Sequence, residues 1–339
     1  ISKMGKLKPS LLFQFLIPLF LIFLSFKSYS KERESGRLKL ILIQGISLKS
    51  LIFSKIFSIW LIGFFLLLSS VLVQFIFNSI ALDFDTFLRL LMLIISYSLY
   101  YLIIINLSVA VSVFFKNSTS ALSMTIVVWF MWSVFFPKII GNSVEKIHPL
   151  PTRVEFQESM SEDRKKGIDG HNPLGEVKKE LEKATLAKYK VDNLSQLPIN
   201  FSGILMQADE DYGNKVWDKH FGELYSQLNK QKQKYQISGF FNPFSSIQNL
   251  SMALSGTDMY HHLNFLNQGE KYRRIFIKAL NEKYTETKMA DANFFKSVKD
   301  FDYQFPLLIS LLHKYILDFI ALFFWLVTSI LTLNFLTKK

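Results

Sequence analysis

The residues with chemistry to offer are concentrated at 27–55, which reads KSYSKERESGRLKLILIQGISLKSLIFSK. Glu32 and Glu34 stand there among Lys27, Lys31, Arg33, Arg37, Lys39, Lys49 and Lys55. Leu38, Leu40, Ile41, Ile43 and Ile46 alternate with polar residues, and Leu48, Leu51 and Ile52 recur at helical spacing. That pattern is docking chemistry. It predicts a basic, amphipathic helix at a membrane surface, placed to meet an energy source or a regulator. A second candidate is Asp318, the one acid inside the last apolar run, with Lys314 four residues earlier on the same helical face. Acids at such depth are costly and often functional, but a structural or interfacial Lys314–Asp318 pair is the favoured reading. The six histidines show no HExxH-type spacing, and the adjacent His261 and His262 point about a hundred degrees apart on a helix. No metal site is therefore expected. Asp209, Glu210 and Asp211 read as a solvated cluster, the Asp169-Gly170-His171 triplet as a turn, and GxxxxGK[ST] is absent, so nucleotide binding by this chain is not expected.

The elements around these residues are mostly membrane spans. Of 339 residues, 50% are hydrophobic, 34 are Phe, and the apolar ones gather in blocks. Apolar runs at 11–26, 56–77, 87–115, 121–140 and 315–336 predict five spans, with Pro18 inside the first. Gln74, Asn106, Ser108 and Ser112 read as interhelical hydrogen-bonding groups, and Arg89 as a snorkelling cation near a span end. The formal charge of +12 fits basic span ends facing anionic lipid better than nucleic acid, for which there is no motif. The absence of cysteine excludes disulfides and thiolate chemistry, and suits a large external domain in a bacterial envelope.

Lysine and arginine counts on the short connectors put 27–55 and 116–120 in the cytoplasm and the acidic link 78–85 outside. Parity then places 141–305 outside and the Lys338-Lys339 tail inside. Residues 1–10 fall outside despite Lys3, Lys6 and Lys8, a conflict that a preceding span would remove. The expected organisation is a span within 1–30, a cytoplasmic coupling region at 31–55, three spans within 56–140, an extracytoplasmic helical insert at 141–305, and a final span and tail at 306–339. Within the insert, 177–190 and 215–235 read as helices, the latter with a face of Val216, Trp217, Phe221, Leu224, Tyr225 and Leu228. Asn242-Pro243 opens a further helix, and Gly256-Thr257-Asp258 supplies a turn. The fold class is thus a polytopic, mostly α membrane protein, with five spans in view and six expected in the full chain.

The connector resembles the coupling region of type-2 ABC exporter permeases, where a span leads into Glu-x-Glu-x-Gly-Thr-Leu, a Leu-rich run, a Pro-Val-Ser-like turn and Gly-Lys. Here those positions read Glu32, Glu34, Gly36 and Leu38, then Leu40, Ile41 and Leu42, then Gly45, Ile46, Ser47, and finally Ser54 and Lys55. Arg37, Gly45 and Ser54 depart from the pattern. In the insert, PTRVEFQESM at 151–160, DGHNP at 169–173, 242–258 and 261–274 are similar to the large external domain, of unknown function, of one permease subfamily. The resemblance implies a permease half that dimerises with an identical or related subunit and is driven by a separate ATPase subunit, which would carry ATP and Mg. It implies ATPase coupling through Glu32, Glu34, Gly36, Leu38, Gly45, Ser47 and Lys55. The two glutamates would pair with partner cations, and the apolar residues from Leu38 to Ile46 would fill a partner groove. The expected function is export or extraction of a hydrophobic or envelope-related substrate from a bacterial cytoplasmic membrane. The alternatives are an ATPase-driven mechanotransmitter acting on an envelope protein, and a membrane-anchored sensor or scaffold. No enzymatic activity and no cofactor are expected in the chain itself.

Overall fold

The structure is a computed structural model that describes residues 9–77, 83–168, 173–287 and 289–338. Among them there is no strand, and every regular element is helical. The chain is a polytopic all-α membrane protein. Five helices are long and apolar enough to cross a bilayer: Pro9–Glu34, Leu48–Val73, Phe84–Phe114, Ser118–Ile147 and Leu308–Leu336. The apolar run before Tyr315 therefore lengthens the last span. The Asp169-Gly170-His171 turn, most of the acidic link, Lys3, Lys6, Lys8 and Lys339, and the side chain of Gln74 lie outside the described residues.

Two compact units divide the chain. The first joins 1–147, 232–259 and 306–339, and the second joins 148–231 and 260–305. In chain order the first unit begins with α1 (Ile17–Ser25), α2 (Ser30–Glu34), α3 (Arg37–Ile43), α4 (Leu48–Phe77), α5 (Phe84–Phe114), α6 (Ser118–Phe130) and α7 (Phe136–Ile147). The second contains α8 (Arg153–Lys166), α9 (Pro173–Tyr189) and most of α10 (Phe201–Ile237). The chain then supplies α11 (Pro243–Leu254) to the first unit, α12 (Met259–Thr287) and α13 (Ala292–Ser297) to the second, and α14 (Leu308–Leu336) to the first. The single insert expected at 141–305 is thus not one packing unit, because 232–259 groups with the spans.

The hub of the span unit is α5, which packs against α1, α4, α6, α11 and α14. Tyr97, Tyr100, Tyr101, Ile103 and Ile105 on it are fully buried. Its polar groups join neighbours, since each would otherwise be stranded in an apolar interior. Asn106 Nδ2 donates to Ser329 Oγ at 3.0 Å, and Ser112 Oγ bonds Ser30 Oγ at 3.1 Å. Ser108 is also buried, but its hydroxyl has no partner among the described residues. Arg89 does not snorkel. It is buried, pairs with Asp85 at 2.6 Å, and donates to the carbonyls of Pro306 at 2.8 Å and Ala253 at 3.4 Å.

Two of the spans widen into π turns, at Leu12–Leu16 and Met131–Phe135. A proline follows each turn two residues later, at Pro18 and Pro137. A proline ring clashes with the carbonyl four residues back and cannot donate to it, so a wider turn at that point relieves both problems. Both π turns lie against α11. Asn242 caps that helix, its side chain accepting from Phe244 N at 3.1 Å and donating to the Trp132 carbonyl at 2.9 Å.

The second unit is held by side-chain pairs between helices. A Thr152–Glu155 capping box starts α8. Asp163 near its end accepts from Lys219 Nζ at 2.7 Å and meets His220 Nε2 at 2.8 Å, and the hydrogen bond from the Lys219 ammonium, with that to His220, holds the carboxyl below its ordinary range. Phe156, Trp217, Phe221 and Tyr225 form a chain of aromatic contacts. Between α10 and α12, Arg273 reaches Glu210 at 3.0 Å and Arg274 reaches Asp218 at 2.7 Å. A Cβ on Gly203 would fall 2.2 Å from Thr285 Oγ1, so only glycine permits that approach.

Candidate functional site

The connector is not one amphipathic helix reaching Lys55. It is the short pair α2 and α3, then a turn, and from Leu48 the chain is already in the long span helix α4. Two glycines set the bends. Gly36 (φ 71°) precedes α3 and Gly45 (φ 83°) follows it, both in the left-handed region where a Cβ is strained. Ser47 Oγ accepts from Ser50 N at 3.1 Å and so caps the start of α4.

The two carboxylates are engaged within the chain. Lys55 Nζ donates to Glu32 Oε1 at 2.9 Å and to the Ser28 carbonyl at 2.8 Å, while Arg37 Nε lies 3.4 Å from Glu32 Oε2. Glu34 accepts from Ser118 N at 2.7 Å and from Ser118 Oγ at 2.8 Å, which places its charge at the N-terminus of α6. The Arg33 guanidinium donates to the Phe115 carbonyl, and Ser112 Oγ accepts from the amides of Tyr29 and Ser30. Within the chain, Glu32 and Glu34 thus fasten α2 to α4 and to the corner between α5 and α6.

What this frame presents is apolar. Leu38 faces inward and is buried, anchoring α3. Ile43 is 82% exposed and Leu40 62%, with Leu42 and Ile46 exposed beside them. Of the apolar residues from Leu38 to Ile46, the four exposed ones form the surface and Leu38 its footing. Alternation alone could not make that division, because it does not show which face finds a neighbour.

The second candidate, Asp318, is fully buried. Its carboxylate accepts from Gln236 Nε2 at 2.7 Å and from Asn249 Nδ2 at 3.0 Å. Lys314 joins the cluster through its backbone carbonyl, which accepts from the same Gln236 amide at 2.8 Å. The cation linked to Asp318 through Asn249 is Lys232, whose Nζ donates to Asn249 Oδ1 at 2.9 Å. Burial pushes the Lys232 ammonium below its ordinary value, against the raising fields of Asp318 and Asp258. Nearby, Tyr315 donates to Asp258 Oδ2 at 2.9 Å. Gln236, Asn249 and Lys232 were not singled out in the sequence, since their meeting with α14 depends on α11 folding back among the spans. Among the described residues no group of three His, Cys, Asp or Glu side chains converges as a metal site.

Two family models match the chain. Residues 5–153 match the family of ABC-2 family transporter proteins, and residues 153–304 match a domain of unknown function, DUF3526. The N-terminal part of the chain thus matches the ABC-2 transporter family, and the whole is consistent with a transmembrane permease subunit that carries an additional domain. No curated protein and no solved structure matches it.

Proposed function

We propose that this permease subunit is driven by a separate ATPase subunit that docks on 31–55 and holds the ATP and Mg. The apolar surface of Leu40, Leu42, Ile43 and Ile46 seats in a groove of that partner. The observation that carries the reading is the contrast between this bare surface and the fully engaged charges beneath it. A short helix clamped by Glu32, Glu34 and Arg33 to three span ends moves only if those ends move. It is thus fit to pass a push from the partner into α4, α5 and α6. On this reading 27–55 faces the cytoplasm of a bacterial cell and 141–305 lies on the outer side of its cytoplasmic membrane. Two permease halves pair, and the substrate exported or extracted is hydrophobic or envelope-related.

The test is co-purification of the full chain with its ATPase, comparing wild type with Leu40→Asp/Ile43→Asp. Withholding two aliphatic side chains of about 1.5 kcal/mol or more each should weaken association roughly 100-fold. Stimulated ATP hydrolysis should be lost with it, while membrane insertion is kept. Undiminished binding and stimulation in the double variant would remove α3 from the partner interface. Glu34→Arg is the poorer test, because it also uncaps α6.

A further inference from the structure

Between the first two spans and the connector lies a cleft of about 370 Å³ that the docking surface does not use. Four cations line it, Lys27, Lys31, Arg37 and Lys55, against one carboxylate, Glu32. The excess is three positive charges. Glu32 is already shared by Lys55 and Arg37. Among the described residues Lys27 and Lys31 have no carboxylate within 4.0 Å. They stand one helical turn apart, and both are exposed. At the other end the cleft is walled by Leu24 and Ile59, which belong to the apolar spans. A pocket that is cationic at one end and aliphatic at the other has the polarity gradient of a phospholipid from headgroup to acyl chain.

We propose that this cleft binds the phosphate of an anionic phospholipid, with Lys27 and Lys31 as its principal contacts and Leu24 and Ile59 against the first carbons of the acyl chains. The chemistry is that of basic pockets between membrane helices, where each Lys near an anionic surface adds about 1 kcal/mol. A free phosphate would meet the same cations but would gain nothing from the aliphatic wall. Because Arg37 begins α3, and Glu32 and Lys55 tie it to α4, a bound headgroup would stiffen the frame beneath the docking surface. The inference takes from the proposed orientation only the choice of leaflet.

The full chain, purified in nonionic detergent without the ATPase, is titrated with phosphatidylglycerol or phosphatidylcholine, and retained lipid is counted by native mass spectrometry. Lipid retention is read independently of docking, so failure of either proposal shows separately. Wild type should hold phosphatidylglycerol in preference to phosphatidylcholine. Lys27→Gln/Lys31→Gln should weaken that retention roughly 30-fold, as expected for two lysines. Lys39→Gln/Lys49→Gln, on the same connector but outside the cleft, should leave it unchanged. Equal retention of the two lipids, or equal loss in both double variants, overturns the site in favour of a diffuse basic surface. Displacement by inorganic phosphate would reassign the cleft to a free anion. Release of the lipid on adding the ATPase would assign it to acidic groups of that partner.

Discussion

The short helices α3 and α11 are both apolar segments attached to the spans, yet they meet opposite fates. In α11 nine of twelve residues are buried, among them Phe244, Ile247, Leu250 and Leu254. In α3 only Leu38 of seven is buried. The difference lies in what surrounds each helix. The π turns before Pro18 and Pro137, together with α5 and α14, enclose α11 on several sides. Left-handed Gly36 and Gly45 bracket α3, and ion pairs of Glu32 with Lys55 and Arg37 fix its base, so that its aliphatic side chains other than Leu38 find little cover. Apolar content alone therefore does not separate a core helix from a docking helix. The location of the satisfied polar groups does: those of α11 point into the protein's interior, whereas those around α3 lie beneath it and leave its outer face bare.

The sharpest way to break this comparison is Asn249→Leu. Asn249 bridges Lys232 and buried Asp318, so its loss leaves one oxygen of a buried carboxylate and one ammonium without that partner. A hydrogen bond to a charged group is worth about 1.5–3 kcal/mol, and the variant should lose about 3 kcal/mol. Reversible unfolding of the full chain in mixed micelles measures this. If Asn249→Leu unfolds where wild type does, the cluster contributes nothing, and α11 is held by apolar contacts alone.

The span count, the all-α class and the capping of α11 at Asn242 were legible in the sequence, because each rests on local pattern: apolar length, or a capping residue before proline. The connector was legible as a place, through its glycines and paired glutamates, but not as a geometry. Glu32 and Glu34 look partner-facing in a one-dimensional reading, and only the fold shows Lys55 and Ser118 waiting 23 and 84 residues away. For Asp318 the sequence displays only its helical neighbour Lys314, since i,i+4 proximity is all that a linear pattern shows. Its amide partners come from residues 69 and 82 positions distant. The return of 232–259 to the spans was hidden for the same reason. Its serines and amides interleaved with apolar residues suit an external helix as well as a span-packed one, and the family match at 153–304 runs across it without a break.

A smaller effect is expected from Gly45→Ala. No atom lies within 4 Å of the position a Cβ would take, so crowding plays no part and the cost is that of a left-handed backbone alone, about 1 kcal/mol. Gly45→Asn should recover part of this, since asparagine tolerates the conformation. Because the turn sets the angle between α3 and α4, both variants should also reduce partner stimulation in proportion to the strain. A fully stable, uncoupled Gly45→Ala protein would separate the two effects and weaken the view that α3 acts through a rigid frame.

The smallest effect on stability, and the most informative on function, belongs to Ile43. At an exposed site with no internal partner, Ile43→Asn should change unfolding free energy by less than about 0.5 kcal/mol. The competing account of the bare surface is that lipid covers it, and the absence of cysteine in this chain allows a direct decision. Ile43→Cys, labelled with an environment-sensitive fluorophore in lipid nanodiscs, reports water or hydrocarbon at that one position. Emission typical of water in the isolated protein, shifting to the blue when the ATPase is added, is the outcome expected of a docking ridge. Hydrocarbon-like emission before the partner arrives would make α3 a membrane-surface helix. The contrast with α11 would then be one between a helix buried in protein and a helix buried in lipid.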